Sequence, residues 1–146
     1  RAEMLGLPHA WPSPDPIVQD LKTYEIADEQ PYSYRLTWLG VEAERRGRGV
    51  LFAAEVSRLI FGGTEDWHLG DHLANAAARA GLDLEQMDRA IAHSQSHREE
   101  VERNLQDLEA SGHWGVPTFV FRGEPIFGQD RIDTLCWRLD REGLAV

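Results

Sequence analysis

Residues 112–137 read GHWGVPTFVFRGEPIFGQDRIDTLCW, and the fold turns on this stretch. Thr118-Phe119-Val120-Phe121 is β-branched and aromatic, the composition of a strand. Arg122-Gly123-Glu124-Pro125 reads as a tight turn, Ile126-Phe127 as a short return strand, and Gly128 as its break. Asp130, a favoured capping residue, introduces a final helix carrying Ile132, Leu135, Cys136 and Leu139. Val116-Pro117 stands immediately before the first strand, where proline cannot donate to a ladder. A trans bond there simply starts the strand. A cis bond bends the chain and presents the Val116 N–H and C=O to an extended, peptide-like ligand. Gly128-Gln129-Asp130-Arg131 also admits two readings. One is a plain helix cap with a solvated arginine. The other is a trap for a zwitterionic head, with free amides for a carboxylate and Asp130 for an ammonium.

Upstream of this stretch the apolar period is helical. Pro31 suits a first turn, and Tyr32, Leu36, Leu39 and Ala43 follow at helical spacing. Phe52, Val56, Leu59 and Ile60 form the next stripe, closed by Gly62-Gly63. Leu73, Ala76, Ala77 and Ala80 form a third, with Gly81 as its C-terminal stop. Asp83 with Gln86 resembles a capping box before Leu84, Met87 and Ile91, and Ser96 with Glu99 predicts another before Val101, Leu105 and Leu108. Gly112 stops that helix. Residues 1–30 are irregular, because Pro8, Pro12, Pro14 and Pro16 block helix continuation. Leu5, Leu7, Trp11, Ile17 and Val18 mark this segment as a strap packed on a surface rather than a free linker.

The 146 residues suffice for one ordinary domain. Acidic residues outnumber basic ones by 25 to 15, and a formal charge of −10 repels phosphate backbones, so nucleic acid is not an expected partner. No apolar run approaches the roughly 20 residues of a membrane helix, and no membrane partner is expected. The single cysteine excludes an internal disulfide or a Cys-x-x-Cys pair. With no export signal at the start, it favours a cytoplasmic origin. A lone hairpin is marginal in water, and nothing in residues 1–115 reads as a strand partner. Either helices cover the hairpin, or its partners lie in sequence beyond these residues.

Gly115-Val116-Pro117-Thr118, the hairpin, then Phe127-Gly128-Gln129-Asp130-Arg131 and a helix resemble the C-terminal half of the 2-hydroxychromene-2-carboxylate isomerase family. That family belongs with the kappa-class glutathione transferases and the DsbA-like thioredoxin superfamily. The resemblance implies a helix-rich α/β chain: a DsbA-like thioredoxin fold with an inserted helical domain. Residues 1–30 would be the strap, 31–111 the helical insertion, and 112–146 the C-terminal part of the thioredoxin-like domain. It implies a cis Val116–Pro117 bond and glutathione as cofactor, its cysteinyl part paired with the Val116 backbone. Gln129 and Asp130 would hold the γ-glutamyl end, Asp130 facing its ammonium, with Arg131 beside them. Trp114, two residues before Val116, is a candidate wall of the cleft. The family's opening strand–helix–strand unit carries the serine or cysteine that contacts the glutathione sulfur. No such unit is present, so the catalytic residue is expected upstream and the chain is expected to be a fragment, a processed form or a truncation.

Other residues have plainer readings. Cys136, among apolar neighbours, reads as a small buried hydrophobe. His68 and His72 have zinc-ligand spacing, but Gly70 weakens the helix and no glutamate follows the first histidine, so no metal is expected. Trp38, Trp67, Trp114 and Trp137 read as core or interface anchors, and Arg45, Arg46 and Arg48 as complements to a helix dipole. Three functions remain open. The first is a glutathione-dependent isomerase or transferase acting on a small electrophilic or aromatic-derived substrate. The second is a DsbA-like thiol-disulfide oxidoreductase with cysteines upstream. The third is a non-catalytic helical interaction module, whose exposed hairpin edge would dock another chain or form a homodimer.

Overall fold

The computed structural model describes residues 2–144. Helices α1 (Ser33–Arg45), α2 (Gly49–Phe61), α3 (His72–Arg79), α4 (Leu84–Ile91) and α5 (Gln95–Ala110) precede strands β1 (Thr118–Phe121) and β2 (Glu124–Phe127) and a last helix α6 (Ile132–Arg141). The chain is helix-rich α/β, with one two-stranded antiparallel sheet among the described residues. It divides into two compact units, Arg1–Glu99 and Glu100–Val146.

The first unit owns the core. Leu39 and Ala43 of α1, Phe52, Val56, Leu59 and Ile60 of α2, Leu73, Ala76 and Ala77 of α3, and Met87 and Ile91 of α4 are buried in one cluster with Trp67. These are the residues at helical spacing in the sequence. Burying a leucine, phenylalanine or methionine side chain contributes about 1.5–3 kcal/mol, so this cluster dominates the unit's stability. The Asp83 carboxylate accepts the Gln86 N–H at 3.0 Å and also receives the Gln86 side-chain amide at 3.1 Å, so the first box forms in variant form. Gly81 takes a positive φ of 77° after α3, a conformation glycine adopts without steric cost.

The second expected box does not form. α5 begins at Gln95, one residue before the predicted cap, so Ser96 lies inside its first turn. The Ser96 hydroxyl instead accepts from the Arg45 guanidinium at 3.1 Å. His97, one residue on, is buried, with Nε2 2.9 Å from Glu42 and Nδ1 2.6 Å from the Ser94 hydroxyl. Glu42 also accepts from Arg46 Nε at 2.7 Å. The buried polar groups of α1 and the start of α5 therefore satisfy one another.

The strap is tied by its backbone. Ala10 N–H donates to Phe61 O at 2.8 Å, Asp66 N–H to Ser13 O at 2.8 Å, and the buried Trp67 indole to Pro14 O at 2.7 Å. Its apolar side chains, Leu5, Leu7, Trp11, Ile17 and Val18, are nevertheless exposed. Among the described residues no helix is long and apolar enough to cross a membrane.

The second unit is built on the hairpin. Its register pairs Thr118 with Phe127, Phe119 with Ile126, Val120 with Pro125 and Phe121 with Glu124. The turn is only Arg122-Gly123, with φ of 53° and 80°. Positive φ at both central residues is the geometry that matches strand twist in a two-residue hairpin. The expected four-residue turn is thus too long by Glu124 and Pro125, which belong to β2. Pro125 is tolerated because it faces Val120 at a position where its nitrogen points away from β1. Side chains alternate: Phe119, Phe121 and Ile126 share the more buried face, while Val120 and Phe127 lie on the open one. Ion pairs Arg138–Glu124 and Arg122–Glu142 link α6 to the hairpin at 2.5 Å and 2.8 Å.

One expectation about α6 fails. Cys136 is exposed, not buried, and α6 buries none of its residues. Trp137 is likewise exposed, as is Trp114, whereas Trp67 is core and Trp38 packs against the core. The apolar side of the helix is only partly covered: Leu135 and Leu139 are half-buried, while Ile132 and Cys136 beside them are exposed.

Candidate functional site

The segment before β1 is organised around Gly115. Its N–H donates to His113 Nδ1 at 2.9 Å, and its carbonyl accepts the Thr118 hydroxyl at 2.5 Å. The His113 ring stacks on Phe127 with centroids 4.0 Å apart and planes 20° apart, and stacks more loosely on Trp114 at 5.8 Å. A Cβ on Gly115 would lie 2.5 Å and 2.9 Å from the Phe127 ring and 3.1 Å from His113 Cε1. Only glycine fits under this stack. Both backbone polar groups of Gly115 are thereby occupied, and the chain leaves it with Val116 turned outward, 78% exposed.

The Val116–Pro117 bond is cis. Among the described residues neither the N–H nor the C=O of Val116 has a hydrogen-bond partner. The carbonyl of Pro117 accepts the Gly128 N–H at 2.9 Å, which extends the hairpin ladder by one pair. This bond brings Val116–Pro117 and the segment 128–131 to the same end of the hairpin.

Gln129, Asp130 and Arg131 form a single 3₁₀ turn ahead of α6. Asp130 is not the cap of α6 that its position suggested. Arg131 occupies that place, and no side chain caps the helix. Gly128, with φ 100° and ψ 143°, adopts a conformation that side chains avoid. Its backbone turn lets the Asp130 carboxylate fold back over Gly128, against the place where a Cβ would stand. The other carboxylate oxygen lies 3.9 Å from Arg131 Nε, too long for a strong charge-assisted hydrogen bond. Both side chains are largely exposed, so the carboxylate is available to a cation from solution.

The sequence-derived residues Val116, Pro117, Gln129, Asp130 and Arg131 thus cluster at one end of one hairpin. Trp114 stands beside them, 87% exposed. A shallow groove of about 370 Å³ runs alongside, lined by Glu124, Pro125, Ile126, Phe127, Arg131 and Thr134; of the candidates it includes only Arg131. A larger concavity of about 720 Å³ lies in the strap, lined by Asp20, Glu25 and Asp28 among others, and contains none of them. The reading from sequence missed His113 and Thr118, which set the backbone of Gly115. Their only signal was spacing: a side-chain acceptor two residues before the glycine, and a hydroxyl three residues after it.

The model of the DsbA-like thioredoxin domain matches residues 37–140. The chain belongs to the DsbA-like thioredoxin domain family. The match runs from α1 through the hairpin and α6, so the cis Val116–Pro117 bond and the strands after it fall inside it. No curated protein matches the chain. Oxidoreductases and glutathione transferases both occur in this family, which makes thiol chemistry the common theme of the fold.

Proposed function

We propose that the chain is the ligand-holding part of a glutathione-dependent isomerase or transferase. The observation that carries this reading is the Gly128 N–H to Pro117 O bond at 2.9 Å. It brings an unengaged stretch of main chain, at Val116, to the same end of the hairpin as the exposed carboxylate of Asp130, which Arg131 approaches only to 3.9 Å. An extended tripeptide with a zwitterionic end needs both. Strand-like hydrogen bonds fix its middle, and a carboxylate fixes its ammonium. Gln129 supplies an amide to the γ-glutamyl carboxylate, and Arg131 adds positive charge beside it. Trp114 offers an apolar face to an aromatic-derived or electrophilic substrate.

In this reading the protein orients the thiol and brings it to the electrophile. For an isomerase, the thiolate adds to one carbon of a conjugated double bond, and the electron pair moves to the conjugated carbonyl. The resulting single bond rotates, and the pair returns as the carbon–sulfur bond breaks. The residues described account for binding; activation of the thiol is assigned to none of them. Calorimetric titration with glutathione, for the native chain and for Asp130→Ala, tests the reading. Binding that weakens in the variant supports it, and equal affinity refutes the role of Asp130.

The family match supports a second reading, a disulfide oxidoreductase in which Val116 pairs with an extended cysteine-containing peptide. Cys136 cannot supply a dithiol, because it is the chain's one cysteine. Competition between glutathione and such a peptide, of matched length but blocked at its amine, separates the two. The oxidoreductase reading requires the blocked peptide to bind at least as well.

A further inference from the structure

We infer that His113 is a positioning residue whose uncharged imidazole sets the main chain at Val116 for ligand, so that protonating it releases the site. This rests on the reading of Val116 as the ligand-pairing backbone. The geometry is specific about protonation. Nδ1 accepts the Gly115 N–H at 2.9 Å, so it carries no proton while that bond exists. An imidazolium has a proton on both ring nitrogens and accepts from neither. A protonated His113 therefore points an N–H at the N–H of Gly115. The bond is lost and replaced by repulsion.

The consequence passes through Gly115 to Val116. Gly115 is buried, and its other polar group is held by Thr118 at 2.5 Å. With its N–H anchored at one side and its C=O at the other, Gly115 fixes both peptide planes that meet at it, and the second of these carries the Val116 N–H. Releasing the N–H removes one of the two anchors. The amide of Gly115 then also becomes a buried donor without a partner, which costs about 1–3 kcal/mol. The stack of His113 on Phe127 at 4.0 Å keeps the ring in place in the uncharged state.

The surroundings offer the imidazolium little compensation. The element stacked on the ring is β2, through Phe127, and its charged residue Glu124 is paired with Arg138. Asp130 and Arg131, which follow β2, lie 3.9 Å from each other. On α5, which precedes the segment, the last turn carries Asp107 and Glu109. Among the described residues none of these carboxylates is hydrogen-bonded or ion-paired to His113.

Two substitutions separate the acceptor from the stack. Asparagine at 113 keeps a side-chain oxygen able to accept the N–H two residues on, the common Asx turn, and does not titrate. Phenylalanine keeps an aromatic ring on Phe127 and has no acceptor. The test follows the Gly115 amide by ¹H–¹⁵N NMR between about pH 7.5 and about pH 5, which spans the ordinary histidine range and leaves the ordinary thiol and carboxyl values outside. Glutathione affinity is measured by calorimetry over the same range.

In the native chain the Gly115 amide shift is expected to change between about pH 7.5 and about pH 5, and its protection against hydrogen exchange, relative to the unstructured rate at each pH, to fall at low pH. Glutathione affinity should fall about tenfold over the same interval. His113→Asn should hold the Gly115 amide fixed and change affinity less than twofold with pH. His113→Phe should resemble the acidified native chain even at pH 7.5. A Gly115 amide indifferent to pH, or full affinity in His113→Phe, overturns the inference. If glutathione fails to bind at any pH, the reading of Val116 fails, and the Gly115 amide still decides the role of His113.

Discussion

His113 and Phe127 are stacked with ring centroids 4.0 Å apart, across the open end of the hairpin. One ring precedes the cis bond and the other ends β2, so the pair clamps the entry of the first strand to the exit of the second. Gly115 lies beneath them, in a space that a methyl group would overfill. Gly115→Ala is therefore expected to force the rings apart. Overpacking of this kind costs about 1–3 kcal/mol. A lowered urea midpoint, with the change confined to amides of residues 112–131, checks it; unaltered stability would show that the stack yields freely.

Asp130→Ala should weaken glutathione binding by about 1.5–3 kcal/mol, the range for hydrogen bonds to a charged group. Asp130→Asn should lose most of the same affinity, because it keeps the shape and removes the charge. Calorimetry of both variants checks this. Since neither side chain of the Asp130–Arg131 pair is buried, the unfolding midpoint should move little.

Glu42 and His97 couple stability to acidity. Burial pushes the Glu42 carboxyl up, but the hydrogen bonds from Arg46 and His97, with their charges, outweigh it and hold it below its ordinary 4.5. A depressed folded value means that the stabilisation is complete above the unfolded value. It is lost as pH falls through the lower, folded one. Urea midpoints measured from about pH 7 down to about pH 3 should therefore fall on the acid side, and fall less steeply in Glu42→Gln. At neutral pH that variant should be less stable by about 1–3 kcal/mol, because a buried network loses its charged acceptor.

Trp67→Phe keeps an aromatic ring in the core and deletes the indole donor that holds Pro14 O at 2.7 Å. The expected loss is about 0.5–1.5 kcal/mol. Limited proteolysis within residues 10–16 should accelerate. Unchanged cleavage would mean that the Ala10 and Ser13 backbone bonds hold the strap unaided.

The helices of the first unit were legible because their apolar residues repeat at helical spacing and nearly all of that stripe is buried: Leu39, Ala43, Phe52, Val56, Leu59, Leu73, Ala76 and Met87. Glycine and Asp83 marked their ends for local steric and hydrogen-bonding reasons. The errors arose where local preference met a tertiary partner. Ser96 looked like a cap, but Arg45, 51 residues away, takes its hydroxyl. Pro125 looked like a turn residue, yet the positive φ of Arg122 lets a two-residue turn suffice. Cys136 looked buried because its neighbours are apolar, but the packing half-covers Leu135 and Leu139 and leaves Cys136 exposed. At the candidate site the residues proposed to bear the chemistry were chosen by type and spacing along the chain. The 2.9 Å bond that unites them, and the imidazole that braces Gly115, depend on the closed hairpin and have no one-dimensional signature.

The central claim, that glutathione lies along Val116 with its amine at Asp130, is tested most directly by titrating the ¹⁵N-labelled chain with reduced glutathione at neutral pH. Binding as described shifts the amides of Val116, Thr118, Gly128 and Asp130 in a saturable way, and Asp130→Ala abolishes the shifts at the same ligand concentration. Saturable shifts confined to other residues, or none at the hairpin end at millimolar glutathione, would contradict it.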